Sequence, residues 1–342
     1  MYESNGERYF IVDGHVAFWD ARPENRNRFG EGFIACFYDY QRNLSPEEWV
    51  WPKEKFDRYT EEDLLHDIFE VGYADKAIFQ PTYLKDFFPG GFNTTEQDAV
   101  IAEKHPDRFL LNGAFDPRDG DAGLAYLEEI AERYQLKGVK LYTAEWKGDS
   151  RGWRLDSDEA ARYLQKCQDL GIKNIHVHKG PTIWPLDRDA FDVADVDGAA
   201  TSFPELNFIV EHLGLPRLED FCWIATQEPN VYGGLSVAIP FIHSRPRYFA
   251  KIIGELCYWL GADRVLFGSD YAIWQPKWLI ERFVDFQIPE DLTGEYGELT
   301  PDIKRQMLGL NAARLYDIEV PPELRAEPVG TAAIGSDPVS PA

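Results

Sequence analysis

The chain has few of the residues that cross-link, anchor or attract polyanions. Its four cysteines, Cys36, Cys167, Cys222 and Cys257, include no CxxC or paired spacing. That pattern excludes a zinc ribbon and a disulfide framework and points to a reducing compartment. No apolar run approaches the roughly 18 residues needed to cross a bilayer. The N-terminus, MYESNGERYFIVDGH, lacks a basic segment followed by an apolar one, so no signal peptide is read and the cytoplasm is the expected location. Basic residues are also scarce, 35 Lys and Arg against 59 Asp and Glu, for a formal net charge of -24. Such a field repels phosphate backbones and anionic membranes, which excludes nucleic acid and lipid surfaces and leaves a small molecule as the expected partner.

What is abundant is apolar and aromatic: 44% hydrophobic residues and 14% aromatics in 342 residues, enough for a sizeable core. Short apolar runs predict eight strands, near Tyr9–Val16, Lys76–Gln80, Phe109–Ala114, Gly138–Tyr142, Ile172–His178, Asn207–Glu211, Val231–Val237 and Arg264–Gly268. Each is mostly apolar and not alternating, as strands covered on both faces should be. Helical spacing lies between them, at Asp121–Tyr134, Asp158–Leu170 and Phe249–Leu260, the last two stopped by Gly171 and Gly261. Strand and helix in alternation give a parallel sheet. An open doubly wound sheet would carry a Gly-rich phosphate loop after its first strand, whereas Ala17-Phe18-Trp19-Asp20 follows here. The expected fold is therefore a (β/α)₈ TIM barrel over residues 1–318. It carries a long insertion after the first strand (18–75), a second long connection near Ile273–Pro301 and a disordered Pro-rich tail (319–342).

In such a barrel, active-site residues sit at the C-terminal ends of the strands. Four of the seven histidines fall there: His15, His176, His178 and His212, joined by Asp270 after the eighth strand. Period-two alternation predicts that Asp13, His15 and Ala17 share one face, and that His176 and His178 share another. Two imidazoles and one carboxylate leave positions open for water and substrate, the arrangement of a catalytic metal site. His15, His178 and Asp270 are the expected ligands, with Asp13 and His176 as further candidates. His212 and Asp270 are the candidate catalytic acid/base groups. Nitrogen and oxygen donors suit one divalent ion, zinc first, with manganese, iron or cobalt as alternatives. Lys140, inside the fourth strand, is a candidate for a substrate carboxylate, for carbamylation, or for a strand end reaching solvent. Trp19, Trp184, Tyr271 and Trp274 offer aromatic surface near the mouth. Arg245 and Arg247 are candidate anion clamps, or surface arginines at a helix start.

Six segments and a terminal signature, in order, carry a family resemblance: IVDGHVAFWD, ADKAIFQP, LKGVKLY, IHVHKG, FPELNFIVEHLG, ADRVLFGSDY and IKRQMLGLNAARLY. From Ile11 to about Tyr316 the chain resembles the amidohydrolase-related group of the metal-dependent hydrolase superfamily, which includes the aminocarboxymuconate-semialdehyde decarboxylase type. The resemblance implies a one-metal barrel with His15, His178 and Asp270 as ligands, His212 as general acid/base, and a homo-oligomer as the expected assembly. It implies hydrolysis of amide, ester or lactone bonds, or non-oxidative decarboxylation of an aromatic or unsaturated acid. One departure stands out: the family's first strand reads His-x-His, and here the second position is Ala17. The departure also admits a third reading, a barrel without catalysis that assists a protein partner.

Overall fold

A computed structural model describes residues 1–325. The chain opens with a hairpin, β1 (Tyr2–Ser4) and β2 (Glu7–Tyr9), and then builds the barrel. Its strands are β3 (Val12–Val16), β4 (Lys76–Phe79), β5 (Phe109–Leu111), β6 (Gly138–Leu141), β7 (Asn174–His178), β8 (Asn207–Glu211), β9 (Val231–Gly234) and β10 (Val265–Leu266). Ladders run β3-β4-β5 and β6-β7-β8-β9-β10, all parallel. Parallel bridges between Gly113 and Val139, and between Val16 and Tyr271, close the two arcs into a TIM barrel. The eight expected strands all appear at their positions; only Asn207–Glu211 has the expected extent, and the other seven are shorter, the first and last among them. The first is split, because Glu7–Tyr9 pairs outside the barrel with Tyr2–Ser4. The last keeps only two ladder residues before it breaks toward Asp270.

The barrel interior is layered. Val12, Ile78, Ile209 and Leu266 form an apolar floor, sealed from below by Phe10, Ala312, Ala313, Tyr316 and Leu324. Above the floor the inward positions turn polar, and the functional residues stand on that layer. Burial of Leu324 corrects the expected tail: residues up to Arg325 are described, with a helical turn at Pro322–Leu324 docked under the barrel. The rest of the expected disordered tail, 326–342, lies outside the described residues.

The two long connections, read from the sequence as loops, are built largely of helix. In the insertion, Asn27 caps Arg28–Leu44 by accepting the N–H groups of Phe29 and Gly30. That helix buries Gly30, Phe33, Ile34, Phe37 and Gln41 at helical spacing. Trp19 is the centre of the packing: 1% exposed, stacked on Phe92 at 5.3 Å, and edge-on to Phe37, Phe56 and Tyr59. Its indole N–H donates to Phe56 O at 2.8 Å, which satisfies the only polar atom of the side chain. The second connection carries helices Pro276–Asp285 and Glu290–Tyr296. No helix among the described residues is long and apolar enough to cross a membrane.

Trp19 thus ties the insertion to the barrel rim. Trp19→Ala is expected to lower unfolding free energy by about 3–5 kcal/mol, measured from the urea midpoint. An unchanged midpoint would contradict this account of how the insertion is held.

Candidate functional site

A bulge in the first strand sets the site. Asp13 is opposite Ala77 and Val16 opposite Phe79, so three steps on β3 match two on β4. The extra residue breaks the expected alternation. Asp13 shares the face of Ala77, opposite to that of Ile78 and Gln80, and its Oδ1 accepts Ser269 N–H at 2.8 Å. His15 instead turns inward and lines a chamber of about 40 Å³. Asp13 is therefore not beside His15 as a ligand candidate. Its carboxyl is pushed up to about 6 by burial.

Around the chamber stand His15, Ala17, Lys140, His178, His212 and Asp270, at the C-terminal ends of five strands, with Trp19 and Trp274 in the wall. Oxygen and nitrogen atoms of His15, His212 and Asp270 lie within 4.8 Å of one another. His15 Nε2 is 3.4 Å from Asp270 Oδ1, and His212 Nδ1 is 3.9 Å from Asp270 Oδ2. The two strand-end imidazoles of β7 and β8 touch, with His178 Nδ1 3.0 Å from His212 Nε2. His178 Nε2 is buried and has no hydrogen-bond partner. His212, Leu213, Val237 and Asp270 all hold positive φ, between 59° and 66°. Such backbone costs of order 1–3 kcal/mol per residue and is kept only where surrounding structure imposes it. Gly180 allows the turn, since a Cβ there would sit 2.4 Å from His212 Cβ.

Beneath the chamber lies the residue that sequence reasoning missed. Glu211 is 2% exposed, and every oxygen is engaged. Its Oε2 faces His15 Nδ1 at 3.0 Å and accepts Ser236 Oγ–H at 2.9 Å, while Oε1 faces His176 Nδ1 at 2.5 Å. Burial pushes this carboxyl up, but His15, Lys140 and the hydrogen bonds from His15 and His176 outweigh it and hold it well below the usual range. An ionised acceptor on the Nδ1 side favours the tautomer that would leave Nε2, facing the chamber, open to an ion. The chain continues downward: His176 Nε2 is 2.7 Å from the Tyr316 hydroxyl, which also meets Asn112, and Asn112 donates to Gln80 Oε1 at 3.1 Å. With both nitrogens so engaged, His176 faces the support layer and not the chamber, unlike the ligand candidate read from sequence. The signal for Glu211 was present, because Asn207, Ile209 and Glu211 alternate with the outward Phe208 and Val210.

Burial drives the other shifts. Asp270 is raised by burial against the pull of His15 and Lys140. His178 and His212 are held well below the usual imidazole range, first by burial, so both are neutral. Lys140 is 1% exposed and lowered by burial, opposed by Glu211 and Asp270. Its one polar contact is His15 Nε2 at 3.4 Å. Lys140, Tyr142 and Thr82 also line a second, larger cleft of about 380 Å³, so the chamber and the cleft share a wall. The sequence alternative of a lysine reaching solvent is corrected by that burial.

Four other expectations fall outside the chamber. Arg247 forms an exposed pair with Asp291, and Arg245 lies over Tyr248. Trp184 is 54% exposed and seated against Gly32. The Tyr271 ring is buried in the insertion core, its hydroxyl 3.1 Å from Asp67, because the chain turns after Asp270 and sends the next side chain outward.

A family model described as amidohydrolase matches residues 12–318. No curated protein sequence matches the chain. Among solved structures, an uncharacterised TIM-barrel protein of Bordetella bronchiseptica superposes with a TM-score of 0.68 at 19% identity, covering 90% of this chain and 98% of that one. A 5-carboxyvanillate decarboxylase of Novosphingobium aromaticivorans, complexed with manganese and a nitrobenzoic acid, has a TM-score of 0.58 at 15% identity, covering 90% and 96%. A probable 2-pyrone-4,6-dicarboxylic acid hydrolase of Acinetobacter baumannii has a TM-score of 0.54 at 11% identity, covering 90% and 99%. At these identities the likeness shows the barrel.

The buried relay makes Tyr316 a load on stability. Tyr316→Phe strips the partner of His176 Nε2 and is expected to cost about 1–3 kcal/mol in denaturant unfolding. A variant as stable as the parent would show that the relay contributes nothing.

Proposed function

Because the chain belongs to the amidohydrolase family, we propose that it is a metal-dependent hydrolase acting on a small substrate that bears an anionic group. The observation that carries this reading is the convergence of His15, His212 and Asp270 within 4.8 Å in a buried chamber at the strand ends. The residues fit a divalent ion. His15 offers Nε2 with its proton fixed on the far nitrogen by Glu211, and Asp270 offers a carboxylate. His178 offers Nε2, a buried nitrogen that no other group uses, whereas both His212 nitrogens are engaged, by Ser236 and by His178. We therefore propose His15 and Asp270 as ligands, with His178, which lines the same chamber but stands outside the 4.8 Å group, as the third. Ala17, where the family carries a second first-strand histidine, adds no donor and leaves space instead.

A divalent ion in such a site brings water ionisation toward neutral pH and polarises a carbonyl. The chain's own groups do the rest. Asp270 Oδ2, on the His212 side, is placed to accept a proton from the attacking water, and His212 would pass it to the leaving group by giving up its contact with His178. Lys140, to which no carboxylate is bridged among the described residues, is placed to bind the substrate's anionic group and is the reason to expect one. Aromatic walls in the adjoining cleft suit a planar body.

Decarboxylation is the second reading, favoured by the same Lys140 contact with the chamber, which would seat a carboxylate beside Asp270 for protonation of the carbon that loses CO₂. Manganese in a decarboxylase of the same fold makes it a metal to test alongside zinc.

Protein expressed with zinc or manganese is expected to hold about one equivalent of ion. His178→Ala should lose that ion, while His212→Ala should keep it and lose turnover on a panel of lactones, amides and hydroxybenzoates assayed for hydrolysis and CO₂ release. Metal well below one equivalent in the parent, or loss in His212→Ala with retention in His178→Ala, would overturn the assignment.

A further inference from the structure

The cleft of about 380 Å³ beside the chamber is lined by Tyr83, Phe115, Tyr142 and Trp146, with charged groups among them. Most of those charges are already spent within the protein. Asp116 is forked onto Arg118, Asp119 is paired with Lys147, and Asp86 Oδ2 accepts Gly148 N–H at 2.9 Å. Glu145 differs. Among the described residues its carboxylate has one hydrogen bond, from Lys85 N–H at 3.3 Å, and no cationic side chain bridged to it. It lines the cleft and not the chamber, while Lys140 lines both.

The geometry points to a bipolar substrate site: Lys140 takes an anionic head at the chamber wall, the aromatic walls hold a planar body, and Glu145 takes a protonated amine or a strong hydrogen-bond donor farther out. This rests on the reading of the cleft as the substrate's seat. A purely anionic ligand would bury Glu145 against the aromatic wall with its charge uncompensated, which disfavours binding. An amino group offsets that cost with a charge-assisted hydrogen bond. Burial and the neighbouring Asp116 push the Glu145 carboxyl up to about 7, against the pull of Arg118 and Lys85. A site that holds a donor rejects analogues without it more strongly than an apolar pocket rejects a missing methylene. The inferred substrate class is therefore an aromatic or unsaturated acid carrying an amino substituent away from the reacting carbon.

Calorimetric titration of the full-length protein with three probes tests this. They are 3- or 4-(aminomethyl)benzoate, which carries both charges, 4-methylbenzoate, which carries the anion alone, and benzylamine, which carries the cation alone. The parent protein is expected to bind one of the aminomethylbenzoates about tenfold or more tighter than 4-methylbenzoate. Glu145→Gln, half-buried and nearly isosteric, should erase that preference and leave 4-methylbenzoate unchanged. Lys140→Met, checked for fold by circular dichroism, should weaken both carboxylates and spare benzylamine. If 4-methylbenzoate binds in a Lys140-dependent manner and the amine adds nothing, the bipolar site is wrong and the anion site stands. A preference that survives in Glu145→Gln also overturns it. If neither carboxylate binds the parent, the reading of the cleft as the substrate's seat fails as well.

Discussion

A buried carboxylate under the chamber governs the rest of the site. Glu211 accepts from His15, His176 and Ser236 at once, and these three come from β3, β7 and the segment after β9. An ionised group at that depth is costly to desolvate and is kept only by full hydrogen bonding and nearby positive charge. The molecule supplies both. Lys140 stands in the same layer, and Gly234 leaves the space, since a Cβ there would lie 2.3 Å from Glu211 Oε2. The result is directional. Glu211 takes the Nδ1 side of His15, and Nε2 faces the chamber and Asp270.

The support is continuous from floor to rim. Tyr316, directly after the helix Asn311–Leu315, closes the apolar floor and reaches up to His176, whose other nitrogen meets Glu211. Above, three residues with positive φ, His212, Val237 and Asp270, line a space of about 40 Å³. Rigid β-strands below and strained turns above are the usual division between a scaffold and the groups that react. The large cleft adjoins this space through Lys140 and Tyr142, which makes Lys140 the natural link between substrate recognition and the chemistry.

Much of this was legible in the residues. Short, mostly apolar runs marked the barrel strands, and histidines at strand ends marked the rim. What escaped has identifiable causes. Alternation along Asp13-Gly14-His15-Val16-Ala17 failed because a bulge adds one residue, and bulges leave no signature in composition. Glu211 is masked in the sequence by the adjacent His212, a more conspicuous site residue, although the two-residue period points it inward. Trp184, Tyr271, Arg245 and Arg247 are near the site in sequence and distant in space, since each follows a turn whose direction depends on tertiary packing. The insertion's helices were obscured by aromatic residues at spacings that serve the barrel rim as much as their own helix face.

The central claim is that one divalent ion is held by His15, His178 and Asp270, with Glu211 supporting from below. Crystals grown with manganese or zinc, measured at wavelengths on both sides of the metal edge, test it most directly. The account predicts one anomalous peak in the chamber, bonded to His15 Nε2, His178 Nε2 and an Asp270 oxygen. A chamber without a peak at full metal loading, or a peak bonded to His212 in place of His178, would contradict it.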